Sequence, residues 1–183
     1  MRNLANYALF QGVWAAAVWS AVDGGVYTGL LAALGMLAVH LAMVRERGPE
    51  LAYVLAAGAV GTALDSALHG AGWILYPTSE AWTLPTAPPW IAGLWLAFAM
   101  LPRFSLRWLR GRTVLAIALG AVGGPLSFLA GERLGAIAPG SGFTWAALAV
   151  EYAVLTPLLL RFAPTGESSS AELGGVAARR ADG

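Results

Sequence analysis

Six long apolar stretches constrain this chain more than any other feature of its sequence. Each runs for about 20 residues, the length of α-helix that crosses the roughly 30 Å hydrocarbon core of a bilayer. Charged residues make up only 11% of the chain, so little polar surface is left for contact with water. The stretches therefore predict an all-α fold, a polytopic transmembrane helical bundle with six spans. The predicted spans are residues 3–22, 25–44, 51–75, 90–109, 113–137 and 143–162.

The distribution of arginine predicts how these spans are oriented. All 11 residues of the lysine and arginine class are arginines, and ten of them fall on one side of the six spans. The loops 23–24, 76–89 and 138–142 on the other side contain none. The positive-inside rule then places both termini in the cytoplasm of a multi-pass protein of the bacterial inner membrane.

The chain is predicted to divide into a membrane domain and a tail. Residues 1–163 form the six-helix transmembrane domain in this interpretation. Residues 164–183 are rich in Ser, Gly and Ala and are expected to be a disordered cytoplasmic tail. The first apolar run continues past its small residues through Val18 and Trp19, which favours a retained span over a cleaved signal peptide.

Composition excludes several classes of function. The chain has no cysteine, which excludes disulfide frameworks, zinc–thiolate sites and thiol nucleophiles. The absence of lysine excludes Schiff-base chemistry. A formal net charge of +1 argues against a nucleic-acid partner. No cofactor or metal is predicted, and membrane lipids are the expected partners.

A few ionisable residues inside the predicted spans are not explained by topology. Asp65 and His69 are four residues apart on span three and therefore share a helix face. Glu132 and Arg133 on span five and Glu151 on span six lie at a similar depth, in the outer half of the membrane. Ionisable groups in a membrane cost roughly 2.5–3.5 kcal/mol each on insertion scales, so we expect the five to form a shared polar cluster.

Three roles remain open for this cluster. Buried ion pairs, for example of Arg133 with Asp65 or Glu151, would hold three spans in register. Alternatively, the cluster would form a polar pocket open to the outer leaflet, whose carboxyl groups exchange protons. A metal site is the weakest alternative, because the chain has only two histidines and no paired Glu-x-x-His motif.

Narrower predictions apply to several other residues. Gln11 and Trp14 on span one are candidates to line a cavity. Gly123, Gly124 and Pro125 predict a kink in span five and are the candidate hinge. Two further residues are expected near the membrane interface, His40 as a hydrogen-bonded side chain and Trp90 as an aromatic anchor.

Several segments together resemble a bacterial inner-membrane family that is catalogued only as a domain of unknown function. The resemblance covers nearly the whole chain except the tail and implies no catalytic residue. It does imply a link to enzymes that modify membrane fatty acids. The matching segments are NYALFQGVW at 6–14, LDS at 64–66, SLRWLRGR at 105–112 and GAVGGPLSFLAGERLG at 120–135.

Three classes of function follow from these observations. The first is a noncatalytic component linked to membrane lipid or fatty-acid modification, acting with a membrane-associated partner enzyme. The second is a small transporter or lipid carrier with a proton-titrating cluster. The third is an intramembrane lipid-modifying enzyme, which is less favoured because no catalytic residue can be named.

Overall fold

The fold is built almost entirely from α-helices. The computed structural model describes residues 2–77 and 82–165 of the chain. Within them the prediction of a mostly helical chain with six helices is confirmed. The predicted tail lies outside the described residues from position 166 onward. The elements are α1 (Arg2–Val22), α2 (Thr28–Met43), α3 (Arg47–Gly70), β1 (Ile74–Leu75), α4 (Pro89–Ala99), α5 (Thr113–Arg133), β2 (Ala138–Pro139) and α6 (Thr144–Phe162).

Three of these helices, α3, α5 and α6, are long and apolar enough to cross a membrane. Helix α2 is apolar but has only 16 residues, which is about 24 Å of helix. Helix α1 has 21 residues but includes polar positions such as Asn6 and Gln11, which lower its hydropathy. Length and composition thus indicate a membrane protein.

Two predicted spans end earlier than expected, and glycine explains both ends. Helix α3 stops at Gly70 and α5 at Arg133, before the predicted ends at residues 75 and 137. Gly72 and Gly135 adopt φ of 72° and 87°. This left-handed conformation, which glycine adopts without strain, closes a helix by hydrogen bonds back to its last carbonyl groups.

The fourth predicted span is corrected more strongly. Helix α4 ends at Ala99, and two short 3-10 segments, Leu101–Arg103 and Arg107–Leu109, replace the predicted helix up to residue 109. Pro102 is the physical reason, because it has no backbone N–H to donate and its ring disfavours helical conformation in the residue before it. The start of α4 fits the sequence, since Pro89 occupies the first helical turn, where a missing N–H costs nothing.

Helices α1 to α4 form one group, with α4 in contact with the other three. Small residues allow the helix backbones to approach closely. A Cβ added to Gly93 of α4 would lie 2.5 Å from the carbonyl oxygen of Gly29 on α2. A Cβ added to Gly58 of α3 would lie 2.5 Å from Leu96. Such contacts replace the hydrophobic effect as the packing force in a lipid environment.

Helices α5 and α6 form a second group, a closely packed pair. Gly120 and Gly124 make this packing possible, because a Cβ at either position would lie within 2.3 Å of Tyr152 on α6. Helix α5 continues through Pro125 without a break in its assignment. Within the Gly-Gly-Pro stretch, Gly124 packs against Tyr152, whereas Gly123 faces open space, and the hinge stays a prediction.

Both ends of the bundle join the two groups. At one end β1 pairs antiparallel with β2, with Ile74 opposite Pro139. At the other end Arg103 Nη1 donates to the carbonyl oxygen of Pro164 at 2.6 Å, and Arg110 Nη2 donates to the same oxygen at 3.2 Å. Between these ends the two groups also meet through side chains, since Trp95 stacks on Tyr152 and the Tyr53 hydroxyl donates to the carbonyl oxygen of Leu159 at 2.9 Å.

Candidate functional site

The two helix groups enclose a cavity of about 670 Å³. Its wall is formed by α1, α4, α5 and α6, by the segment after α4, and by Asp65 of α3. Most of the lining is apolar or aromatic, as is typical of sites that bind small hydrophobic molecules. The residues on which the following description depends are Tyr7, Gln11, Trp14, Asp65, Trp95, Gly123 and Tyr152.

The cavity opens sideways between α1 and α5. Tyr7 on α1 is 48% exposed, and Leu119 and Leu126 on α5 are 43% and 57% exposed. A hydrogen bond from Trp14 Nε1 to Ser127 Oγ, 3.0 Å long, crosses the opening. We call this laterally open cavity the α1–α5 groove. In a bilayer its opening would face lipid chains.

Asp65 lies in the wall of the α1–α5 groove and is only 1% exposed. Its Oδ2 accepts a hydrogen bond from Trp95 Nε1 at 2.6 Å, whereas its Oδ1 is buried without a partner among the described residues. Gly61, one helical turn earlier on α3, makes room for the indole of Trp95. The sequence of α3 thus places a glycine and a carboxyl group on the one face that Trp95 covers.

Glu151 is the second acidic residue in this region. It is 9% exposed, and neither carboxylate oxygen has a hydrogen-bond partner within the described part of the chain. Its carboxyl group is close enough to that of Asp65 for the two to interact electrostatically. However, Glu151 borders a different, apolar pocket between α3 and α6, so the two carboxyl groups face different cavities.

Aromatic side chains surround Asp65. The ring of Trp95 stacks on Tyr152, with centroids 5.0 Å apart. Tyr76, just after β1, packs edge-on against Trp90 at 5.6 Å. Burial raises the pKa of Tyr76 well above its ordinary value, and ionisation of Asp65 or Glu151 would raise it further. The Tyr76 hydroxyl therefore stays protonated and is electrostatically close to both carboxyl groups.

The other members of the predicted polar cluster lie elsewhere. His69 is half-buried, and its Nδ1 lies 2.9 Å from the carbonyl oxygen of Ile74, beyond the end of α3. Glu132 is half-buried and Arg133 is exposed at the end of α5. Among residues 2–77 and 82–165, neither Asp65 nor Glu151 has an ion-pair partner. Of the five, only Asp65 and Glu151 are buried, and these two interact electrostatically.

The candidate cavity residues are both found in the groove wall. Trp14 lines it beside the bond to Ser127, and Gln11 lines it near the opening, where its Nε2 donates to the Tyr7 hydroxyl at 3.0 Å. Gly123 faces open space in the groove. Within the described residues no group of three or more His, Asp or Glu side chains is placed to hold a metal ion.

A second buried charge cluster, at the opposite end of the bundle, was missed from the sequence. Glu50 in the first turn of α3 is 0% exposed, and its Oε1 lies 2.8 Å from His40 Nε2. Arg103 Nη1 lies 3.6 Å from the other carboxylate oxygen. His40 is hydrogen-bonded as expected, and it is 1% exposed and packs edge-on against Phe104. The sequence did contain a signal for this contact, because one histidine and two acidic residues lie close together around one turn, namely His40, Glu46 and Glu50.

Trp90 also differs from expectation. It is 2% exposed and packs inside the bundle instead of anchoring its surface. The reason is the central position of α4, which is in contact with α1, α2 and α3. By contrast Trp108 is 52% exposed and lies under the guanidinium group of Arg112.

Comparison with known proteins identifies a family but no activity. Residues 3–158 match the family described as "Protein of unknown function (DUF2878)". The chain belongs to this family. Searches of curated proteins and of solved structures found no match. The expected membership in a family of unknown function is therefore confirmed, and the molecular activity has to be argued from the groove.

Proposed function

We propose that the chain is a six-pass protein of the bacterial inner membrane with both termini in the cytoplasm. Three contacts support one common end for the arginine-bearing segments. His40 and Glu50 join α2 to α3, Asn6 at the start of α1 donates to the carbonyl oxygen of Met100, and Arg103 reaches Pro164 after α6. With that end in the cytoplasm, the positive-inside rule is obeyed.

The short helix α4 is compatible with this topology. Its 11 residues give about 16 Å of helix, less than the hydrocarbon thickness. Non-helical backbone at membrane depth is tolerated where it is buried in protein. Leu101, Pro102 and Leu109 in the segment after α4 are buried, so the bundle covers part of this segment, whereas Arg107 and Trp108 are exposed.

We further propose that the protein binds the hydrocarbon chain of a membrane amphiphile in the α1–α5 groove. The observation that carries this proposal is a large apolar cavity with a lateral opening. Along α1 the groove extends from Tyr7 to Val18, which is about 16 Å of helix. One leaflet of the hydrocarbon core is about 15 Å thick, so the groove has the length of a single acyl chain.

The same geometry favours a binding or carrier role over an intramembrane enzyme. An enzyme acting on a bound lipid needs an acid and a base within reach of one reacting atom. Asp65 and Glu151 border different cavities and so do not flank a single bound molecule. In the proposed role the protein holds membrane lipid for a membrane-associated partner enzyme, and residues 164–183 lie on the cytoplasmic side.

The test fills the groove without disturbing the fold. Gly123→Leu places four carbon atoms in the groove, where an added Cβ meets nothing within 4 Å. Gly35→Leu is the matched control, because Gly35 also faces open space but lies on α2, away from the groove. Binding of tritium-labelled hexadecanol to purified protein in maltoside micelles is measured by scintillation proximity.

We expect Gly123→Leu to weaken hexadecanol binding at least about tenfold, or about 1.4 kcal/mol. Gly35→Leu should bind as the wild type does. Equal binding by the wild type and both variants would show that the probe does not occupy the groove. Absence of saturable binding to the wild-type protein would refute the proposal.

A further inference from the structure

The end of the α1–α5 groove next to Asp65 holds buried carboxyl groups without a positive partner. Asp65 Oδ1 and both carboxylate oxygens of Glu151 are buried, and none has a hydrogen-bond partner in the described residues. No arginine or histidine within residues 2–77 and 82–165 lies in ion-pair distance of either group. A buried carboxyl group in a membrane is ordinarily paired or faces a functional cavity.

The side chains around Asp65 suit a particular kind of partner. Trp95, Trp90 and Tyr152 all line the groove with aromatic rings. Aromatic faces attract cations, and organic ammonium groups are characteristically bound between aromatic rings. A carboxylate beside the rings adds a direct electrostatic attraction, which is strong where water is excluded. An anionic headgroup would be repelled by the same arrangement.

We propose that the Asp65 end of the α1–α5 groove binds the ammonium headgroup of an amphiphile whose hydrocarbon chain lies in the groove. This inference rests on the proposed function, because the hydrocarbon chain bound in the α1–α5 groove orients the headgroup. Asp65 supplies the charge, Trp95 holds Asp65 in place, and the rings of Trp90 and Tyr152 contact the cation. Glu151, in the neighbouring pocket, interacts electrostatically with Asp65 and so influences its charge.

The proposed site excludes amphiphiles with an anionic headgroup. Lipid phosphates and fatty-acid carboxylates would meet Asp65 with like charge, which costs free energy in a water-poor site. A neutral alcohol would gain the chain contacts alone. The groove should therefore rank ligands of equal chain length in the order ammonium, alcohol, carboxylate.

The experiment compares three probes with the same hexadecyl chain on the purified full-length protein. Hexadecyltrimethylammonium and palmitate compete with tritium-labelled hexadecanol at constant pH in maltoside micelles. We expect the ammonium probe to bind at least tenfold more tightly than hexadecanol and palmitate to bind more weakly. In Asp65→Asn, which keeps the size of the side chain and its acceptor for Trp95, the ammonium preference should disappear while hexadecanol still binds.

Glu151→Gln is the second variant, and it should reduce the ammonium preference only partly, because Glu151 borders the other pocket. If Asp65→Asn no longer binds hexadecanol, the wild-type ranking and Glu151→Gln decide the question. Palmitate binding as tightly as the ammonium probe, or an ammonium preference unchanged in either variant, would overturn the headgroup assignment. If no probe binds the wild type, the chain site itself fails, and the two failures are thus distinguished.

Discussion

Replacing Gly61 by alanine tests the packing that positions Asp65. A Cβ at residue 61 would lie 2.0 Å from Cδ2 of the Trp95 indole, far inside the roughly 3.5–4.0 Å contact distance of carbon atoms. Trp95 is 2% exposed and stacks on Tyr152, so its ring has little space to move. Overpacking costs about 1–3 kcal/mol, and leaving Asp65 unpaired adds about 1–3 kcal/mol. We expect a total loss of about 2–6 kcal/mol in the free energy of unfolding.

The measurement is reversible unfolding by sodium dodecyl sulfate in maltoside micelles, followed by near-ultraviolet circular dichroism. Gly35→Ala is the control, since an added Cβ at Gly35 meets nothing within 4 Å. In a helix interior alanine is more favourable than glycine by about 0.5–1 kcal/mol, so this variant should be at least as stable as the wild type. A Gly61→Ala protein as stable as Gly35→Ala would refute the described contact between α3 and α4.

Two further predictions concern the charge cluster and the topology. Glu50→Gln leaves Arg103 without its counter-charge and changes the hydrogen-bond partner of His40. We expect a loss of about 3 kcal/mol in the same unfolding assay, the lower end for a broken buried pair, because Arg103 is 14% exposed. Unchanged stability would show that the contacts of Glu50 in this cluster do not contribute to the free energy of unfolding. The chain has no native cysteine, so single cysteines report topology cleanly. Ser141→Cys should react with a membrane-impermeant maleimide in intact cells, whereas Trp108→Cys should react only after lysis; the reverse pattern would invert the proposed orientation.

The number and approximate position of the helices could be predicted because they depend on local sequence. About 20 apolar residues in a row specify a helix of membrane length without any knowledge of its neighbours. The true ends of α3 and α5 were also encoded locally, in Gly72 and Gly135, although the apolar runs continue past them. Pro102 was a local signal too, and it outweighed the apolar pattern that suggested a helix up to residue 109.

The site could be predicted only in part, because the depth of a residue in the membrane does not determine which way its side chain faces. Asp65, Glu132, Arg133 and Glu151 were placed at similar depth by counting residues along each helix. Which of them face each other depends on how each helix is rotated, and this follows from packing such as that of Gly120 and Gly124 on Tyr152. The Glu50 cluster escaped notice for a related reason, since Arg103 joins it only through the tertiary fold.

The attachment of the α5–α6 pair to the rest of the molecule has a consequence for the groove. The β1–β2 ladder fastens one end, and the two arginines on the carbonyl oxygen of Pro164 fasten the other. Because both ends are fastened, the middle of the interface is held by local contacts such as the stack of Trp95 on Tyr152 and does not have to be packed along its whole length. Small residues such as Gly123 can therefore line the groove without weakening the attachment of the two helix groups.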